Sequence, residues 1–252
     1  MKRLLGTFLS IALVSGLCVT ARADDKDAQA ILDKAIKALG GEEKLKKVEA
    51  FTVKTKGTIN FGGNESDYKG TLTARGLEHL RRESEMEING ESRTFLMIVA
   101  GDKGWMKFGD EPREMEDEAL ANWKRRAYLE LLPVTIVPLK GKGFKAEAAS
   151  EEKVDGKPAA GVKVTGPDGK DFTIYFDKES GLPVKQVAKV NGFQGNETTE
   201  ETTFKNYKDF GGIKKATRVE TLRDGEPFIK GDVTEFKVLD KVDPKAFDEP
   251  TS

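Results

Sequence analysis

The chain is nearly without the residues that carry most protein chemistry. Its 252 positions hold one cysteine, Cys18, and one histidine, His79. Zinc centres and iron–sulfur clusters need several Cys or His ligands, and a thiol nucleophile needs a His beside it. Most such sites are excluded at once, and His79 reads as a strand-face histidine. An excess of charge of one sign is missing too: 42 Lys+Arg stand against 43 Asp+Glu, a formal net charge of −1. Proteins that neutralise many phosphates need a clear basic excess, so no nucleic-acid partner is expected. There is no GxSxG, no Walker A loop, no low-complexity tract and no Pro- or Ser-rich linker. The segment Gly141-Lys142-Gly143-Phe144-Lys145-Ala146 fits GxGxxA in outline, but it follows no predicted strand and opens no βαβ unit. No spacing singles out a catalytic carboxylate pair. Glu114, Glu116, Asp117 and Glu118 read as a solvated face near a helix N terminus rather than a calcium site. No catalytic residue, metal or cofactor is therefore expected.

What is present begins with a leader. Met1-Lys2-Arg3 precedes an apolar run from Leu4 to Val19, and Thr20-Ala21-Arg22-Ala23-Asp24 supplies a small-x-small cleavage signal. Gly6, Ser10, Ser15 and Gly16 interrupt the run, which is short for a span of ~20 residues. Cleavage is expected after Ala23, which makes the protein exported and periplasmic. Leu17 precedes Cys18 where a lipidation signal would carry a small residue. Cleavage removes Cys18, so the mature chain holds no disulfide and depends on its core. Residues 24–252 are read as one domain, long enough to bury roughly 70% of its surface. Asn64-Glu65-Ser66 and Asn196-Glu197-Thr198 are glycosylation sequons that matter only in a eukaryotic secretory route.

Residues 27–39 place Ala28, Ile31, Leu32, Ala35, Ile36 and Leu39 at helical spacing, and Gly40-Gly41 ends that helix. A short helix is expected over 42–48. The period then changes to two. Phe51, Val53, Gly57, Ile59 and Phe61 alternate with polar residues, and similar runs fall at 67–76, 79–88, 92–100, 104–108, 144–151, 160–166, 171–177, 183–190, 200–206, 214–223 and 227–238. Asn89-Gly90, Asp155-Gly156, Asp168-Gly169 and Asp224-Gly225 are hairpin turns between them. Many strands at hairpin spacing without a βαβ rhythm predict an antiparallel meander.

One helix interrupts it, predicted from Glu111 to about Leu132. Met115, Ala119, Trp123, Ala127 and Leu131 form its apolar stripe, Glu114, Glu118, Lys124 and Arg125 its opposite face, and Pro133 its end. The run 131–139 reads as a buried, extended apolar connector. Phe95-Leu96-Met97-Ile98-Val99 is apolar on both faces, which requires cover on both sides. Trp105 and Trp123 read either as core or as the lining of a cavity.

These parts together resemble a known family. Phe172-Thr173-Ile174-Tyr175-Phe176-Asp177, followed by Gly181-Leu182-Pro183-Val184-Lys185, is similar to the strand–turn–strand unit of the LolA-like lipoprotein-sorting carriers. The stretch Tyr207 to Ile213, then Asp224-Gly225, then 233–247, looks like that family's closing hairpins. The resemblance spans about 27–248. It implies a mainly β (α+β) fold: a curved antiparallel half-barrel of about eleven strands, with an N-terminal helix and an inserted helical lid. It also implies acyl chains bound between lid and sheet, and an arginine that fastens the lid, for which Arg81, Arg82 and Arg93 are candidates. Fold alone does not fix function.

The expected function is a non-enzymatic periplasmic carrier that binds acyl chains of a lipoprotein or lipid for transfer between envelope sites. A ~16-carbon chain is worth at most ~13 kcal/mol against water, and a membrane offers nearly the same. A carrier therefore needs a dry cavity lined by apolar side chains. The candidates are Phe51, Val53, Ile59, Phe61, Phe95, Met97, Val99, Trp105, Trp123, Leu131, Ile136, Ile174 and Phe176. Membrane-associated donor and acceptor proteins would be its partners, and a monomer is expected. The rival reading is an envelope sensor or interaction module on the same fold, which would have a filled cavity and act through a protein partner.

Overall fold

The computed structural model describes residues 21–88, 90–109, 111–192 and 195–251. The leader run and Cys18 lie outside them. Helix α1 (Ala21–Leu39) is followed by a single turn, α2 (Glu42–Leu45). Six strands come next: β1 (Ala50–Phe61), β2 (Asn64–Arg75), β3 (His79–Ile88), β4 (Glu91–Ala100), β5 (Lys103–Phe108) and β6 (Pro112–Glu114). Helix α3 (Asp117–Thr135) and a 3₁₀ turn (Val137–Lys140) lead to the second set. That set is β7 (Lys145–Val154), β8 (Lys157–Thr165), β9 (Asp171–Asp177), β10 (Pro183–Asn191), β11 (Glu197–Phe210), β12 (Ile213–Arg223) and β13 (Glu226–Val238). A 3₁₀ turn, Pro244–Phe247, follows.

All thirteen strands form one antiparallel sheet in the order β6-β5-β4-β3-β2-β1-β13-β12-β11-β10-β9-β8-β7. Each set is a meander, and β1 joins them by pairing with β13. The sheet curves but does not close: β6 and β7 are free edges. It has more strands than the eleven implied by the resemblance. Twelve match the period-two runs. The thirteenth, β6, pairs with β5 through Trp105–Glu114 and Met106–Arg113, where the sequence suggested the start of a helix. Three residues are too few to show a period.

Curvature has a local cause in the central strands. Gly57 lies opposite Gly231 on β13 and Tyr68 on β2. A Cβ on Gly57 would overlap the carbonyl oxygen of Lys230, and one on Gly231 would overlap the Tyr68 hydroxyl. The two glycines let the strands approach and let the Tyr68 hydroxyl reach across them. Gly57→Ala is expected to lose about 1–3 kcal/mol, read as a lower urea midpoint at unchanged slope. Wild-type stability in this variant would remove the close approach as the reason for Gly57.

Helix α1 buries Ala28, Leu32, Ala35, Ile36 and Leu39 in the main core, as its periodicity requires. The Gly41 N–H bonds the Ile36 carbonyl at 2.9 Å, a Schellman closure with both glycines at positive φ. Helix α3 runs past Pro133 to Thr135, and the expected extended connector is the end of this helix plus the 3₁₀ turn. A proline removes the bond to the carbonyl four residues back. That carbonyl, Leu129 O, instead accepts from Gln186 Nε2 at 3.2 Å, so the helix continues with the carbonyl satisfied.

The two-sided strand β4 is covered as its pattern demands. Met97 and Val99 join the main core, while Leu96 and Ile98 pack with Trp105 under Phe247 on the other face. None of the described helices is long and apolar enough to cross a membrane.

Candidate functional site

Helix α3 crosses the concave face from β4 to β10 and does not seal onto it. Beneath it lies a cavity of about 900 Å³, within the range of ~300–1,000 Å³ typical of small-molecule sites. Its wall is mostly apolar. Phe51, Val53, Ile59, Phe61, Phe95, Met97, Trp123 and Leu131 all line it. Phe95 and Trp123 meet across it with ring centroids 6.2 Å apart. Its lining also includes Phe108, which is 58% exposed, and Arg223 packed over the Phe228 ring. Gly40, just after α1, abuts the Gly212 carbonyl just before β12.

Five other candidates lie elsewhere. Val99 and Ile136 are fully buried in the main core, and so are Ile174 and Phe176 on β9, in the cluster that includes the apolar face of α1. They fill space rather than line it. Trp105 is on the opposite face of the sheet. The register sets Met106 against Met97 and Trp105 against Ile98, so alternation sends Met106 into the cavity and Trp105 under Phe247.

The sequence reading missed the polar part of this wall. Arg82 on β3 pairs with Glu130 on α3. Glu200 on β11 accepts from Arg126 at 3.1 Å and from Arg223 at 2.7 Å, and Arg126 also donates to the Asn191 carbonyl at 2.8 Å. Burial raises the Tyr68 hydroxyl above its ordinary pKa and raises Tyr207 further. Lys215 on β12 lines the cavity and makes no hydrogen bond or ion pair among the described residues. Its ammonium lies 5.9 Å from the Phe236 ring centroid. Burial pushes its pKa down from 10.5 to about 8, and Glu130 only partly opposes this. A signal did exist: Leu80, Arg82, Ser84 and Met86 share one strand face, so the apolar ends mark the polar middle as inward-facing. Among the described residues no group of three His, Cys, Asp or Glu is placed to hold a metal.

No family model and no curated protein matches this sequence. Solved structures do. A LolA superfamily protein from Nitrosomonas europaea superposes with a TM-score of 0.58 at 14% identity, over 88% of this chain and 97% of that one. A DUF1329 family protein from Desulfovibrio piger gives 0.57 at 15% identity over the same shares. A domain from Vibrio parahaemolyticus, named for outer-membrane lipoprotein sorting, gives 0.52 at 9% identity over 86% and 97%. The fold is that of the LolA superfamily.

In this LolA-like fold the inserted helix is fastened by Arg126 and by further polar contacts. Arg82 reaches it through Glu130, whereas Arg81 pairs with Glu83 and Arg93 with Glu91, both pairs within their own strands. The stronger fastening comes from Arg125, which the sequence pattern placed on the solvated face. It is 2% exposed. Its guanidinium donates to the Lys189 carbonyl at 2.7 Å, the Asp171 carbonyl at 2.8 Å, Asp168 Oδ2 at 3.0 Å and the Tyr128 hydroxyl at 2.5 Å. Tyr128 in turn donates to Asp168 Oδ1 at 2.9 Å. Gly166 leaves the space, since a Cβ there would sit 2.6 Å from the Tyr128 hydroxyl.

Proposed function

We propose that this protein is a non-enzymatic carrier of the cell envelope, which takes acyl chains of a lipoprotein or lipid into the cavity under α3 and passes them between envelope sites. The observation that carries this reading is the cavity itself. A protein interior normally packs to near-crystalline density, and here about 900 Å³ stays open between an apolar sheet face and a helix fastened at its edges. An interaction module on the same fold would fill that space. The neighbour named for lipoprotein sorting shares the architecture, which supports the same reading. The leader-like start of the sequence supports export to the periplasm, with cleavage after Ala23. Membrane-associated donor and acceptor proteins would complete the cycle.

Mass spectrometry of organic extracts tests it, using protein purified without detergent from a bacterial envelope fraction. A stoichiometric acylated species supports the carrier. A clean extract, with no uptake of lipids offered afterwards, overturns it. Trp123→Ala removes the aromatic wall opposite Phe95, and acyl affinity should fall about tenfold. Unchanged affinity in a folded variant would take Trp123 out of the binding surface.

A further inference from the structure

A purely apolar cargo needs a purely apolar cavity, and this cavity is not one. Its wall carries five cationic side chains and three acidic ones, in a chain whose net charge is −1. Three of the cations hold carboxylates: Arg82 through Glu130, and Arg126 and Arg223 through Glu200. Arg113 is exposed on β6. Among the described residues no carboxylate pairs with Lys215; its ammonium lies 5.9 Å from the Phe236 ring centroid, and Glu130 acts on it without pairing. Lys215 is half-buried, and a cation drawn partly out of water without an anion is costly unless something pairs with it.

Its place in the fold gives the direction. Lys215 lies three residues after Gly212, near the start of β12 where Gly40 abuts, and Arg223 ends the same strand over the Phe228 ring. The eight residue steps from Lys215 to Arg223 span ~26 Å of strand, lined by apolar side chains from β1, β12 and β13.

We propose that the cavity selects an anionic single-chain amphiphile, with its carboxylate or phosphate on the Lys215 ammonium and its chain running along β12 toward Arg223 and Phe228. This rests on the acyl-carrier reading and narrows it to a headgroup class. Lys is a point charge with three rotatable donors and fits either anion.

Four probes below their aggregation concentrations separate the possibilities: palmitate, hexadecyl phosphate, methyl palmitate and hexadecyltrimethylammonium. Each is titrated at about pH 7 into the wild-type protein and into Lys215→Met, Lys215→Arg. Calorimetry is the readout. Wild type should bind palmitate or hexadecyl phosphate about tenfold tighter than methyl palmitate, because a charge-assisted bond adds to equal burial. The tighter of the two anions names the headgroup. Lys215→Met should erase the preference while leaving methyl palmitate within about twofold, and Lys215→Arg should keep it. Equal binding of anionic and neutral probes by wild type, tightest binding of the cation, or a preference that survives Lys215→Met each overturns the headgroup assignment and leaves the carrier reading standing. Binding of none of the four overturns both. The wild-type comparison decides even where a variant fails to fold.

Discussion

Arg125→Ala is expected to remove about 3–5 kcal/mol of stability, the cost of breaking a buried, hydrogen-bonded charge pair from one side. The loss has identifiable parts. The carbonyls of Lys189 and Asp171 lose a charged donor inside the protein, and Asp168 loses the guanidinium that neutralises it. Buried acceptors left unmade cost ~1–3 kcal/mol each before relaxation. Arg125→Met keeps much of the stem packing and should lose less, because no cavity opens. The control is an exposed pair: Glu42→Gln breaks the 2.7 Å contact with Lys46 and should leave the urea midpoint nearly unchanged, since exposed i,i+4 pairs contribute little. Urea unfolding measures all three. Hydrogen exchange adds the local view, where amides of α3 should lose protection in Arg125→Ala ahead of those in β1 and β13. An Arg125→Ala loss no larger than that of Glu42→Gln would mean that α3 is held by its apolar contacts alone.

That a pivotal residue was misassigned from sequence has a physical reason. The helical stripe through Trp123, Ala127 and Leu131 is real, and in an ordinary surface helix its reverse side faces water. Helix α3 is not such a helix. It is buried at Leu120, Tyr128, Leu129, Leu132 and Val134 as well as at Ala127 and Leu131, because it has a cavity on one side and strands β9 and β10 beside it. Arg125 and Tyr128 occupy the flank that touches those strands. Nothing local distinguishes an arginine that meets two backbone carbonyls from one that meets water.

The strands were more legible because period two and turn chemistry agree. Asp155, Asp224, Gly156 and Gly225 all sit at positive φ in hairpin turns, as Asp-Gly pairs prefer. The odd positions Phe51 and Val53 on β1 and Phe95 and Met97 on β4 line the cavity because period two sets each pair on one face. The two readings of Trp105, core or cavity lining, stayed open in Trp105-Met106-Lys107-Phe108, where both faces carry an apolar residue and only the register with β4 sets Trp105 in the cluster under Phe247. The wall from β10 to β13 was hardest to read. Glu200, Thr202 and Lys215 resemble solvated residues, and they face inward only because the sheet curls over them.

Lys215 also sets an expectation about pH. Its native pKa lies near 8, against 10.5 as the ordinary value, so between those limits the unfolded chain binds more protons than the native one. Stability then rises with pH across that window, by up to about 3 kcal/mol for a shift of this size. The opposite slope sets in near pH 10, where Tyr68, Tyr128 and Tyr207 keep their protons in the fold and release them on unfolding. Lys185 and Lys205, raised by their paired carboxylates, add to that fall. The net expectation is a stability maximum on the alkaline side, between about pH 9 and 10. Lys215→Met should be the more stable protein at pH 7 and should lose the rise from pH 7 to 9. A parallel pair of curves would mean that Lys215 keeps an ordinary pKa through water in the cavity. An anionic ligand changes this balance, because it favours the charged ammonium. At about pH 8.5, where roughly three quarters of Lys215 is neutral on a pKa near 8, binding of the anionic probe should take up a proton and make the calorimetric enthalpy depend on the buffer. Methyl palmitate at the same pH should show no such dependence, since it leaves the ammonium as unpaired as it found it.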